Sequence, residues 1–527
     1  MNIQPINIFN MLHKETLTQK VPAFGSENKL EKTPKTGDSF EISIGYINDL
    51  HGQTNNMMRI LSGINGDIVL SGGDNDIGDE KNRAVHDATA KFLNLAEVQA
   101  TALGNHEMDT MQSDLEETAN KYNGHILAIN IAQNPLNTIK NNDTKKYNKS
   151  DITNFIKKSA IIEVKGEKIG LIGTTPVDLL QRCTHPDYHS DCNVYDLDTT
   201  INLIQNEINN IQKQGVDKII LMSHLGHKRD IEVAEKTTGI DVIVGGHTHE
   251  LLEGIKEGEN LIFSKTGEPV IITEAGKDGK HFGKLNVTFD KNGVITKAQN
   301  NLGDTSLYHR NLIHQYLFNQ ILGKPEFVGV VTKTVIPPKS LIQENPHANF
   351  MCDAMRYEMD ADIAIWNNGG PRNYFKAGVI DTSDINEIAP FKDNISVAEV
   401  SEKTLVNAFK KAISVSYSSH GNKPGFLAVS GLNYTVSPSK QRLTDMNFVD
   451  KNGNEHHIDI TNPREDKKYK VVADSFVMSW GKEYDTFAPQ EVCTEYPFNK
   501  AFLTCKYIKH LNKPIEINQS GRIRFSD

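Results

Sequence analysis

The chain has 527 residues, 38% hydrophobic and 24% charged, with a formal net charge of −10. That length exceeds one ordinary core and predicts at least two domains of a globular protein. The acidic surplus excludes a nucleic-acid polymer as main partner, because no basic excess exists to displace backbone counterions. A small anionic ligand stays compatible, since bound divalent metals dominate local charge.

Taken in order, residues 1–39 predict a flexible lead-in, with Pro34 and Lys35 among many polar residues. The mildly apolar stretch from Ile6 to Leu12 is broken by Asn7 and Asn10, so it lacks the uninterrupted core of an export signal. No run of 18 apolar residues occurs, which predicts no membrane-spanning helix. Five cysteines are odd in number and sparse for this length. That points to a reducing compartment, and a cytoplasmic location is the expectation.

From Glu41 onward, short apolar runs each end in a polar cluster. Glu41 to Asn48 delivers Asp49 and His51, and Asp67 to Ser71 leads to Asp74. Val98 to Leu103 leads to Gly104-Asn105-His106-Glu107-Met108-Asp109. Lys218 to Met222 precedes Ser223-His224, and Ile240 to Val244 precedes Gly245-Gly246-His247-Thr248-His249. β-branched content and flanking glycines read these runs as buried strands. Helix-like stretches between them, such as Thr199 to Gln214, predict an α/β domain with a layered sheet over residues 40–303. Ligands in such sheets gather beyond the carboxyl ends of the strands, where these clusters fall.

Leu312, Ile313, Tyr316, Leu317 and Ile321 are spaced as on one helix face, and Gly323-Lys324-Pro325 stops the pattern. Residues 304–325 therefore predict a helical linker, and residues 326–527 a smaller α+β domain. Cys183, His185, His189 and Cys192 could clasp a zinc, although their spacing fits no common finger and a plain surface loop is the simpler reading.

Asp49, His51, Asp74, Asn105, His224, His247 and His249 combine carboxylate, imidazole and amide donors. That mixture suits Mn, Zn, Fe or Co better than an ion bound through oxygen alone. The Asp-x-His and His-x-His spacings place alternate side chains on one side of an extended segment, so each pair could chelate. Singly, each motif is commonly a turn, and Asn105 or Asp109 could cap the helix expected from Met111 to Tyr122.

Taken together and in this order, the clusters resemble those of the calcineurin-like metallophosphoesterases, and within them the 5′-nucleotidase family. The resemblance runs from about Ile42 through most of the chain. It implies one metal held by Asp49, His51, Asp74 and His249. A second would be held by Asp74, Asn105, His224 and His247, with Asp74 bridging. His106 would contact the phosphate, and Asp109 would orient it. In the second domain, Asn367-Asn368-Gly369-Gly370-Pro371-Arg372 is similar to the family's Asn-Gly-Gly-Gly-Ile-Arg segment. The motif that leads this domain in the family is similar to Glu344 to Asn349. The resemblance makes Asn367 and Arg372 substrate-binding, and Phe391 and Phe476 a pair stacking on the base. It therefore implies hydrolysis of a nucleoside 5′-monophosphate or a related small phosphate ester. A 2′,3′-cyclic nucleotide, a sugar nucleotide or a non-catalytic ligand-binding role are its variants. Three departures bear on the substrate, the first being Asn345-Pro346-His347-Ala348 in place of the family's Asn-x-Gly. Lys482 stands where the family has a ribose-binding aspartate, with Glu483 and Asp485 nearby. The arginine expected just before Glu344 is replaced by Leu341, Ile342 and Gln343.

Overall fold

The computed structural model describes residues 30–31, 39–78, 82–133, 151–182, 192–418, 425–480 and 493–527. The loop with Cys183, His185 and His189, and the segment with Lys482, Glu483 and Asp485, lie outside these residues.

The first half is built on two sheets. Phe40–Ile47, Ile68–Ser71, Val98–Ala102, His125–Leu127 and Ile156–Lys157 run parallel in an eight-stranded sheet. His281–Phe289 and Ile295–Asp304 extend it antiparallel on the other side of Phe40–Ile47. The second sheet has six strands, with Glu167–Thr174, Lys218–Ser223, Val242–Val244 and Pro269–Thr273 parallel at its centre. Ile44, Tyr46, Leu70 and Ala102 from one sheet meet Leu171, Met222, Val244 and Ile271 from the other in one buried cluster. The helix Arg83–Leu95 covers the outer face of the first sheet, while Leu197–Gln212 covers that of the second. The result is a helix–sheet–sheet–helix sandwich. Strands buried on both faces explain why their sequences are continuous apolar runs rather than alternating ones.

The helix Leu312–Leu322 forms, capped by the Asn311 side chain, which accepts from Ile313 N. Phe318 is fully buried and Ile321 and Leu322 pack beside it, whereas Leu312 and Tyr316 face solvent. The helix lies against the first domain through one narrow stripe.

The second half holds a five-stranded sheet in the order Leu427–Ser430, Ile363–Asn367, Lys468–Asp474, Ile395–Ser401, Cys493–Tyr496. The helices Pro346–Glu358 and Glu402–Ser418 pack against separate clusters on its two faces. Asn345 accepts from His347 N and Ala348 N, and Pro346 occupies the first helical turn, so this motif serves as a helix cap. Glu344 is likewise structural, accepting from Gly521 N at 3.0 Å and Asn349 Nδ2 at 2.8 Å. Cys352, Cys493 and Cys505 are free thiols. Among the described residues, no helix is long and apolar enough to cross a membrane.

Candidate metal centre and substrate pocket

The five polar clusters of the first domain converge at the carboxyl ends of its parallel strands. Asp49 and His51 follow Phe40–Ile47, Asp74 follows Ile68–Ser71, Asn105 and His106 follow Val98–Ala102, and His224 follows Lys218–Ser223. His247 and His249 follow Val242–Val244. Asp49, His51 and His249 bring ligand atoms within 4.8 Å of one another, and so do Asp74, His224 and His247. Asp49 Oδ1 lies 3.2 Å from His249 Nε2, and Asp74 Oδ2 lies 3.0 Å from His224 Nε2. His51 Nε2 sits 3.8 Å from both carboxylates. Gly104 permits this crowding, since a Cβ there would collide with Asp74 Oδ1.

The backbone is strained at this edge. Asp49, His51, Asp74, His247 and His249 have φ of 50°, 48°, 51°, 80° and 63°. Such left-handed conformations cost of order 1–3 kcal/mol each away from glycine and persist only where their surroundings enforce them.

Three of the imidazoles are fixed through their second nitrogen. His51 Nδ1 pairs with Asp278 Oδ1 at 3.0 Å, and His224 Nδ1 donates to Gly72 O at 2.6 Å. His106 Nδ1 pairs with Asp109 Oδ2 at 2.8 Å. The Nε2 atoms are thereby turned toward the cluster. Buried His51 Nε2, His224 Nε2 and Asn105 Oδ1 have no well-aligned hydrogen-bond partner. A buried polar atom left unsatisfied costs about 1–3 kcal/mol, so a donor set of this kind fits divalent cations.

Charge follows the same plan. Burial opposes ionisation of Asp74, but His224 and His106 hold its carboxyl well below the usual carboxylate range. Burial likewise opposes a charged His224, yet the Asp74 and Asp49 carboxylates push it up to about 10. At His247, burial reinforced by His224 brings it down to about 3, leaving a neutral nitrogen donor.

Two supporting carboxylates were not singled out from the sequence. Asp278 sits in the loop after Pro269–Thr273, and only its place beyond a strand end marks it. Glu107 accepts from Asn75 N at 2.7 Å and Gly104 N at 2.9 Å, clamping the loop of Asp74 to that of His106. Asn105 and Asp109 do not cap the following helix: Gln112–Lys121 begins after Met111, with no side-chain cap.

The second domain closes against this edge. Asn55 N donates to Glu387 Oε1 at 2.7 Å, and Asn82 Nδ2 to Pro390 O at 3.3 Å. Arg372 lies in the field of Asp278, Asp109 and Asp74, and its guanidinium stacks 5.0 Å from the centre of the Phe391 ring. Its Nε has no hydrogen-bond partner. Phe391 precedes Ile395–Ser401 and Phe476 follows Lys468–Asp474, and these strands pair antiparallel, so both rings arise at one sheet edge. Asn367 ends the parallel neighbour Ile363–Asn367 at the same edge. Leu341 and Gln343, where an arginine was expected, accept from Asn368 Nδ2 through their carbonyls and so brace the glycine turn.

Residues 42–251 match the calcineurin-like phosphoesterase family, and residues 328–489 match the 5′-nucleotidase C-terminal domain. The chain is 25% identical over 537 residues to the trifunctional nucleotide phosphoesterase protein YfkN of Bacillus subtilis, covering 93% of this chain and 35% of that one. It thus spans about a third of that relative's length. It is 25% identical over 472 residues to a 5′-nucleotidase of Diplobatis ommata, covering 83% and 77% of the two chains. The solved 5′-nucleotidase precursor from Thermus thermophilus shares the fold, with a TM-score of 0.67 at 22% identity over 93% of this chain and 100% of that one.

Proposed function

We infer, from a chain that belongs to the calcineurin-like phosphoesterases and carries a 5′-nucleotidase C-terminal domain, a dinuclear-metal hydrolase of nucleoside 5′-monophosphates. Asp49, His51, Asp74 and His249 would hold one ion, and Asp74, Asn105, His224 and His247 the other. Two divalent ions of the Mn, Zn, Fe or Co class supply, when bound, an activated water and neutralisation of the phosphoryl oxygens.

The chain's own groups do the rest. His106, oriented by Asp109 at 2.8 Å, presents Nε2 on the more open side of the cluster, where charge develops on the transferred phosphoryl group. Arg372 reaches the same side from the second domain, and its planar fork suits phosphate oxygens. Phe391 and Phe476 offer flat faces to a nucleobase at the adjoining edge. The glycines between Asn367 and Arg372 allow a ligand close to the backbone. Closure of the second domain against Asn55 and Asn82 shields the reacting groups from water.

The observation that carries this reading is the combination at one edge. Five strained ligand positions and three unsatisfied buried ligand atoms face an arginine delivered by the other domain. The experiment is phosphate release from Mn-loaded protein with AMP, UMP, 2′,3′-cyclic AMP, UDP-glucose and bis(p-nitrophenyl) phosphate, adding a phosphatase afterwards to reveal diester products. Preferred turnover of AMP or UMP, lowered by orders of magnitude in His106→Ala, is the expected result. Turnover confined to the generic diester would retain the metal centre and remove the nucleotide pocket. Silence with metal bound would leave a ligand-binding relative.

A further inference from the structure

A fully buried lysine lies beneath the turns that carry both candidate base-stacking rings. Lys500 opens the helix Lys500–Leu511, with its side chain completely removed from solvent. Taken alone, that placement is unfavourable twice over. An ammonium loses its hydration on burial, and the amino end of a helix repels positive charge.

The compensation is local and specific. Lys500 Nζ lies 2.8 Å from Asp474 Oδ2, 3.9 Å from Asp393 Oδ2 and 5.3 Å from the centre of the Trp366 ring. Asp474 stands two residues before Phe476, and its Oδ1 accepts from Val477 N at 2.9 Å. Asp393 stands two residues after Phe391. The two turns are tied directly by Ser475 N donating to Asn394 O at 2.8 Å. Trp366 immediately precedes Asn367, which leads into the glycine turn that ends at Arg372. One ammonium therefore contacts the base of each segment that lines the pocket, while touching none of the groups assigned to the metals.

We propose that Lys500 is a positioning residue for the nucleobase pocket: its ammonium fixes the spacing of the Phe391 and Phe476 turns and thereby sets affinity for a flat base. The inference rests on the nucleotide reading above and adds the residue that would tune it. A purely structural ion pair would support the fold without distinguishing substrates. The pocket role predicts discrimination between a phosphate ester with a base and one without.

The test uses the full-length, metal-loaded protein as Lys500→Met and as the double variant Lys500→Met/Asp474→Asn. The double variant buries no unpaired charge, and its asparagine oxygen can still accept from Val477 N. Thermal melting and circular dichroism establish that each variant is folded. Steady-state kinetics are then measured with AMP and with ribose 5-phosphate. The expected result in the folded double variant is a rise of about tenfold or more in KM for AMP. Its kcat should change little, and the ribose 5-phosphate parameters should stay at wild-type values. A wild-type KM for AMP, or equal losses on both substrates, would overturn the proposal while leaving the nucleotide reading in place. If the wild-type protein uses AMP no better than ribose 5-phosphate, the nucleotide reading itself falls and takes this proposal with it.

Discussion

Five of the seven candidate metal ligands in the first domain adopt left-handed backbone, whereas Asn367, Arg372, Phe391 and Phe476 in the second domain do not. The first edge also keeps His51 Nε2, His224 Nε2 and Asn105 Oδ1 unsatisfied. The second edge is braced in ordinary ways, by the ladder between Ile395–Ser401 and Lys468–Asp474 and by the Lys500–Asp474 pair. On the proposed function, the difference follows from what each edge would do. Groups that meet metal and reacting phosphate need one fixed geometry, and strain enforced by a double-sheet core supplies it. A surface that stacks on a base needs a flat face at the right spacing, which turns anchored on paired strands provide without left-handed backbone.

The largest effect expected is from His106→Ala, which should lower kcat by roughly 10²–10⁴-fold with a smaller change in KM, read by phosphate release. Loss of KM alone would move His106 to the binding side of the comparison. Asp278→Asn should weaken metal affinity by about 10–100-fold, measured by titration calorimetry of metal-free protein. Unchanged affinity would mean that His51 needs no orienting carboxylate. Arg372→Ala should raise KM for AMP by about 10–100-fold, the range of one charge-assisted contact, and should affect ribose 5-phosphate equally.

The last effect is on stability rather than turnover and concerns the contact between the domains. Burial, then repulsion from Asp384, lifts Glu387 from 4.5 to about 7, against the opposing Asn55 N–H and the Lys376 and Arg59 charges. A carboxyl whose folded-state value is raised binds its proton more tightly when folded. Stability should therefore fall as pH rises between about 4.5 and 7, and flatten above that, by at most about 3 kcal/mol. Denaturation in Glu387→Gln should lack this slope. An identical pH profile in both proteins would assign it elsewhere.

Much of the first edge was legible in the sequence, because each candidate ligand follows an apolar run and the strands are buried on both faces. Asp278 was not, since it reaches His51 across more than two hundred residues and its loop carries no repeating pattern. The linker helix was legible as a helix, while its buried face was fixed by tertiary contact at Phe318. In the second domain, the residue types at Arg372, Phe391 and Phe476 were visible. Their gathering at one edge depends on strand order, which local spacing does not encode. Lys500 gave no local signal, because its meaning comes from two aspartates in other segments.

The most direct test of the division between the two edges is the ratio of kcat/KM for AMP to that for ribose 5-phosphate, in wild type, His106→Ala and Phe391→Ala. The account predicts a high ratio in the wild type, the same ratio at much lower absolute rates in His106→Ala, and a ratio reduced about tenfold or more in Phe391→Ala. A ratio that shifts in His106→Ala and holds in Phe391→Ala would contradict it.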